Sequence, residues 1–232
     1  MSIGASGMPE NSEISATLSN FFGDDAFVLR DLEAASTRRK YRKGAMIVGE
    51  GDKGSTVFYI LNGQASALRY SAAGAEVFID TFGPGDLIGE MAALSGGERT
   101  ADIYALSDVE LAAFTGTAFI GLMEKHGSIG VRVSRLLVTR IRRTTRRMFE
   151  QSTLSSKGRV YAELMRLAEP QSGTETLQIK AMPSISDIAK KLGIARETVS
   201  RTVSELKEQA VVASEGPGLL ISQPHMLLAR LS

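Results

Sequence analysis

The chain has 232 residues, 43% of them hydrophobic, with no cysteine and only two histidines, His126 and His225, enough apolar content for one large or two small folded domains. Zero cysteine excludes a disulfide framework, a thiolate metal site and a thiol nucleophile, and two imidazoles are too few for a histidine-rich metal centre. The net charge of +1 conceals a polarity: residues 1–130 carry 10 Lys/Arg against 17 Asp/Glu, residues 131–154 carry seven Arg against Glu150 alone, and residues 155–232 carry 10 against 8, so a polyanion would be met by the rear of the chain only.

In chain order, residues 1–20 are small, polar and Gly/Ser-containing, and are expected to form a flexible tail. The N-terminus has no basic-then-apolar leader, and no run of about 18 apolar residues follows, so neither secretion nor a membrane span is expected and the protein should be cytoplasmic. Phe27, Leu29, Leu32 and Ala35 have helical spacing and predict a short helix over 24–36. From Tyr41 to about Phe114 the texture is short strands punctuated by glycine. Thr56–Leu61 precedes Asn62-Gly63, and Glu76–Asp80 precedes Gly83-Pro84-Gly85-Asp86, the pattern of an antiparallel barrel or jelly roll.

Helical periodicity returns at Phe119. Val133, Leu137, Ile141, Thr144 and Met148 then follow at steps of three or four with arginines on the other faces. So narrow a stripe on a long polar helix fits a two-stranded coiled coil, or a helix packed on its own domain. Residues 155–232 read as a small α+β unit. Ser155 or Ser156 would cap a helix through Val160, Leu164 and Leu167, two more helices follow, and Val211–Ala213 with Leu219–Ile221 form a β-hairpin.

Two stretches carry chemistry. Ser184-Ile185-Ser186-Asp187 has capping-box spacing, Ile188, Ala189 and Leu192 give an apolar face, and Gly193 supplies the left-handed turn of a helix-turn-helix. The next helix puts Val199, Val203 and Leu206 inward and Arg196, Glu197, Ser200 and Arg201 outward. Arg suits the O6/N7 edge of guanine, Glu the N4 amino group of cytosine, and the hydroxyls of Thr198 and Ser200 suit phosphates; a solvated face with an Arg/Glu pair has the same spacing. Earlier, the Gly89–Glu90 turn opens a short apolar helical piece whose amides could receive an anion. Arg99 offers a planar cation for a phosphate oxygen, and Glu90 an acceptor for a sugar hydroxyl, with an Arg–Glu salt bridge as the plainer alternative.

These stretches resemble one known family. Ile194-Ala195-Arg196-Glu197-Thr198-Val199-Ser200-Arg201 is similar to the recognition helix of the cAMP receptor protein (catabolite activator) family, although Ala195 stands where a capping Ser is frequent. Gly89-Glu90-Met91-Ala92-Ala93-Leu94 followed by Arg99-Thr100-Ala101 resembles the phosphate-binding cassette of cyclic-nucleotide-binding domains. The resemblance spans about residue 21 to the end. It implies an α+β protein: a β-roll (jelly-roll) cyclic-nucleotide-binding domain over 21–130, a dimerisation helix over 131–154 and a winged helix-turn-helix over 155–232. It implies Glu90 on the ribose 2′-hydroxyl and Arg99 and Thr100 on the cyclic phosphate, with Gly89, Met91 and Ala101 in the same cassette. The family register counted back from Lys157-Gly158-Arg159 places Thr144 and Thr145 against the adenine, one of them from the partner subunit. Arg196, Glu197 and Arg201 would read TGTGA half-sites. The expected protein is thus a homodimeric, cAMP-responsive regulator of transcription that binds double-stranded DNA and RNA polymerase, holds no metal and is not an enzyme. Thr100 also suits a guanine amino group, so cGMP is the second ligand; a ligand-independent regulator is the remaining alternative.

Overall fold

The computed structural model describes residues 11–231, and their side chains from Ala16 onward. The chain divides into two compact units, the first ending at Thr139 and the second beginning at Arg140.

The first unit opens with two helices, α1 (Asn11–Phe22) and α2 (Ala26–Ala35). The tail expected over residues 1–20 is therefore helical from Asn11; residues 1–10 lie outside the described residues. Leu18, Phe21 and Phe22 fall on one face of α1, where Leu18 and Phe22 are buried and the Phe22 ring lies 5.4 Å from that of Tyr59. The helix expected over 24–36 forms as α2, capped by Asp25, whose side chain accepts from the amides of Phe27 and Val28. Its inward face is Val28 and Leu32; Phe27 points to solvent.

Eight strands follow: β1 (Thr37–Tyr41), β2 (Met46–Val48), β3 (Val57–Asn62), β4 (Ala65–Tyr70), β5 (Glu76–Phe82), β6 (Leu87–Ile88), β7 (Asp102–Ala105) and β8 (Val109–Phe114). They make two antiparallel four-stranded sheets, ordered β1-β8-β3-β6 and β2-β7-β4-β5, the β-roll expected from the Gly-punctuated texture. The two-residue period of a strand explains the layering. On β3, Phe58 and Ile60 join Ile103, Ala105 and Leu111 in a core that both sheets share, while Val57 and Tyr59 face the helical side with Leu18, Leu32, Phe114 and Phe119. Tyr59 donates its hydroxyl to the Thr17 carbonyl at 2.6 Å, and burial pushes its phenol well above the usual range.

Between β6 and β7 lies α3 (Glu90–Ser95), and after β8 come α4 (Gly116–Lys125) and α5 (Gly127–Thr153). The stripe expected on α5 divides. Ile129 and Val133 are buried in the first unit's core, with Leu136 and Leu137 packed against it, and Arg132 donates to the Phe21 carbonyl at 2.9 Å. The exposed apolar set is instead Val131, Val138, Ile141, Met148 and Phe149. A single stripe through Val133, Leu137, Ile141, Thr144 and Met148 is thereby corrected: its first two members serve the domain's own core, and Thr145, seven residues beyond Val138, falls in line with the exposed set rather than Thr144.

The second unit holds the end of α5, α6 (Ser156–Leu167), β9 (Glu169–Pro170), β10 (Leu177–Ile179), α7 (Ile185–Leu192), α8 (Arg196–Glu208), β11 (Val212–Glu215), β12 (Gly218–Ile221) and α9 (Pro224–Leu228). Its strands form an antiparallel sheet ordered β11-β12-β10-β9, so the expected hairpin is extended by two further strands. Val160, Leu164, Ile188, Leu192, Val199, Val203, Leu206, Ile221 and Leu227 share one core. Among the described residues no helix is long and apolar enough to cross a membrane.

Candidate functional site

The first candidate site is built where β6 ends. Ile88 is the last residue of β6, and Gly89 then takes φ 81°, a left-handed conformation that opens α3 at Glu90. Glycine is required there on two counts. The conformation strains any other L-residue, and a Cβ would stand 2.7 Å from the Thr56 carbonyl oxygen and overlap Nη1 of Arg99.

Arg99 fills that space. It is buried, and it donates from Nη1 to the Gly89 carbonyl (2.9 Å) and from Nη2 to the Thr56 carbonyl (2.7 Å). Its backbone is held as well: the Arg99 amide donates to the Asp52 carbonyl and the Gly51 amide to the Arg99 carbonyl. Burial lowers the guanidinium from its ordinary value, and the charges of Asp52 and Glu90 oppose that shift. Glu90 is 1% exposed, a carboxylate placed at the start of α3 beside a buried cation. The expected Arg99–Glu90 neighbourhood thus exists, with the guanidinium anchored on two carbonyls.

Met91 and Thr100 are exposed beside these buried charges, and Ala101 is buried in the core shared by the sheets. Thr144 and Thr145 are both exposed on α5, in the second unit. Sequence reasoning missed the Thr56 and Asp52 carbonyls as acceptors that hold Arg99. A backbone acceptor leaves no mark in a sequence.

The second candidate site is the helix pair α7–α8. Ser184 caps α7, accepting from the Asp187 amide at 3.1 Å and donating to the Asp187 carboxylate at 2.6 Å. Gly193 ends α7 at φ 61°. Ala195 begins α8 with no side-chain cap bond, as its missing hydroxyl implies. Val199, Thr202, Val203 and Leu206 turn inward, and Thr202 donates to the Thr198 carbonyl at 2.7 Å. Arg196, Glu197, Ser200 and Arg201 are all exposed along the outer side, with Thr198 half-buried at its margin. The side chains proposed to read bases thus share one open face of a helix whose other face is core. Among the described residues no group of three or more His, Asp or Glu side chains is placed to hold a metal ion.

Comparison with known proteins agrees with both halves. Residues 38–126 match the cyclic nucleotide-binding domain, and residues 158–230 match the Crp-like helix-turn-helix domain. The cyclic AMP receptor protein of Thermus thermophilus is 30% identical over 195 residues, which cover 84% of this chain and 88% of that protein. The cAMP-activated global transcriptional regulator CRP of Salmonella typhimurium is 26% identical over 184 residues, covering 78% and 88%. Among solved structures, the c-di-GMP-responsive regulator CLP of Xanthomonas campestris shares the fold with a TM-score of 0.70 at 22% identity, covering 85% of this chain and 99% of that one. With a nucleotide-binding β-roll and a helix-turn-helix matched in one chain, the protein belongs to the Crp family of cyclic-nucleotide-binding transcription regulators.

Proposed function

We propose that the protein is a cAMP-responsive, sequence-specific DNA-binding regulator that acts as a homodimer in the cytoplasm, meets RNA polymerase and catalyses no reaction. The observation that carries the nucleotide reading is the anchored guanidinium of Arg99. With Gly89 and Thr56 holding two of its N–H groups, the cation is pre-set at the start of α3 and needs little reordering to receive a cyclic phosphate. Glu90, buried beside it, would accept from the ribose 2′-hydroxyl, and Thr100 would add a hydroxyl to the phosphate. Thr144 and Thr145 would meet the adenine from α5. The names of the Thermus and Salmonella relatives support cAMP.

Dimerisation would run along α5 through Val131, Val138, Ile141, Thr145 and Met148, whose steps of seven, three, four and three follow a heptad seam. In the dimer, Arg196, Glu197 and Arg201 of each copy would read a TGTGA half-site, with Thr198 and Ser200 on phosphates. The half-sites would lie about 34 Å apart, one turn of B-DNA. Nucleotide would favour the DNA-competent arrangement by its differential affinity for it. A cGMP-responsive reading rests on the exposed Thr100 hydroxyl. Calorimetric titration of cAMP, cGMP and c-di-GMP into the wild type and Arg99→Ala tests the pocket. Binding of cAMP that weakens at least tenfold in Arg99→Ala is expected, and unchanged binding would overturn the assignment.

A further inference from the structure

Within the second unit, one charged cluster has no part in the two candidate sites. Glu163 on α6 is 1% exposed, yet it is a carboxylate in an otherwise apolar helix face between Val160 and Leu164. It is held by two cations from different directions: Arg166, one turn along α6, and Lys191 of α7, whose Nζ lies 2.7 Å from Oε1. Arg166 in turn grips Glu150 of α5 with Nη2 at 3.0 and 2.7 Å from the two carboxylate oxygens. Arg159 completes the arrangement, donating to the carbonyl of Leu192, the last residue of α7, at 3.2 Å and to Ser156 at 3.3 Å. Glu150, Arg166, Glu163 and Lys191 therefore form one chain of ion pairs from the last turns of α5, across α6, to the end of α7.

Such a chain is a poor source of stability. Withdrawing a carboxylate from water is costly, and the mutual attraction offsets that cost only when every partner is in place. It is a good source of discreteness, because Arg166 divides its two terminal nitrogens between Glu150 (Nη2) and Glu163 (Nη1), so displacing either carboxylate breaks a charge-assisted hydrogen bond. Its far end is placed to matter: Lys191 and Leu192 immediately precede Gly193, whose turn sets the direction of α8.

We propose that the Glu150–Arg166–Glu163–Lys191 chain is a transmission clamp, which converts the position of the last turns of α5 into the set of α7 and thereby of the reading helix α8. The inference rests on the nucleotide-responsive reading above. It adds Arg166 and Glu163 as positioning residues that touch neither nucleotide nor DNA.

The test uses the full-length protein with Glu150→Gln and Glu163→Gln. Glu150→Gln removes a charge at the outer end of the clamp without opening the core, so it stays informative where the buried Glu163→Gln variant fails to fold. Two readouts are taken. In the first, DNA affinity is measured with and without cAMP, alongside cAMP affinity. The clamp predicts that the cAMP-induced gain in DNA affinity falls by about two- to thirtyfold while cAMP affinity stays within twofold. A purely structural role would weaken DNA binding equally with and without cAMP, leave the gain intact and overturn the proposal. In the second, hydrogen exchange is followed at the α7 amides. Glu150→Gln should speed exchange at Ile188–Leu192 even though it alters a residue on α5, and unchanged protection there would equally overturn it. If the wild type shows no cAMP gain at all, the functional reading fails, and the exchange experiment still decides the clamp by itself.

Discussion

Replacing Gly89 with Ala strikes the fold and the proposed pocket at one atom. The residue sits at φ 81°, where an L-side chain costs about 1–2 kcal/mol. The new methyl would also lie 2.7 Å from the Thr56 carbonyl oxygen, which is backbone immediately before β3 and cannot swing aside as a side chain would, and would overlap the guanidinium of Arg99. Forcing a methyl into such a packed site costs roughly another 1–3 kcal/mol. The sum is about 2–5 kcal/mol, or a fall of roughly 6–15 °C in the melting of the first unit, taking about 3 °C per kcal/mol for a unit of this size. Gly96→Ala is the control: φ is 68°, yet nothing lies within 4 Å of the new methyl, so it should show the backbone part alone, about 1–2 kcal/mol. Differential scanning calorimetry reads both, and titration with cAMP reads the displacement of Arg99. Gly89→Ala should melt lower than Gly96→Ala and bind cAMP at least tenfold more weakly than the wild type. Equal melting temperatures for the two variants, with cAMP affinity unchanged, would refute the packing of Arg99 against Gly89 and the role built on it.

Ala210 holds φ 52° just past α8, a conformation glycine adopts without strain, so Ala210→Gly should stabilise the second unit by roughly 0.5–1 kcal/mol in thermal melts. Ser184→Ala removes the α7 cap and should destabilise by about 1 kcal/mol, read in the same way. Asp31 accepts from Lys125 at 2.6 Å and lies 2.7 Å from Nε2 of His126, contacts that hold its carboxyl down at about 2 from an ordinary 3.8. A depressed carboxylate stabilises the fold above its unfolded value and loses that contribution as pH falls through the folded one. The melting difference between wild type and Asp31→Asn should therefore persist at neutral pH and shrink between about pH 4 and pH 2. Glu197→Ala should relax preference at one base position by about 1–3 kcal/mol while leaving cAMP affinity unchanged, as a panel of single-base operator variants would show.

The β-roll was legible because glycine turns bound short runs of β-branched and aromatic residues, as in Thr56–Leu61 before Asn62-Gly63. The helix-turn-helix was legible because its cap, turn and inward set, Ser184, Gly193 and Val199/Val203/Leu206, each carry a local physical signature. What failed shares one cause. A periodic stripe states that a face is covered and not by what, so Val133 and Leu137, packed against their own domain, were indistinguishable from a seam with Ile141 and Met148. The N-terminal helix was missed because its Ser- and Asn-rich sequence has weak intrinsic propensity; tertiary burial of Leu18 and Phe22 supports it. Glu163 gave no signal either, since a single Glu on an amphipathic helix reads as solvated until Arg166 and Lys191 are seen beside it.

In the proposed regulator, nucleotide binding and DNA reading are one linked function. Fluorescence anisotropy of a labelled duplex carrying a TGTGA–TCACA palindrome, at fixed salt because phosphate contacts make affinity salt-dependent, tests it directly with no ligand, cAMP, cGMP or c-di-GMP present. Binding should tighten with cAMP alone, by a factor within the roughly 5–150-fold range of ordinary allosteric coupling. Identical binding under all four conditions would contradict it.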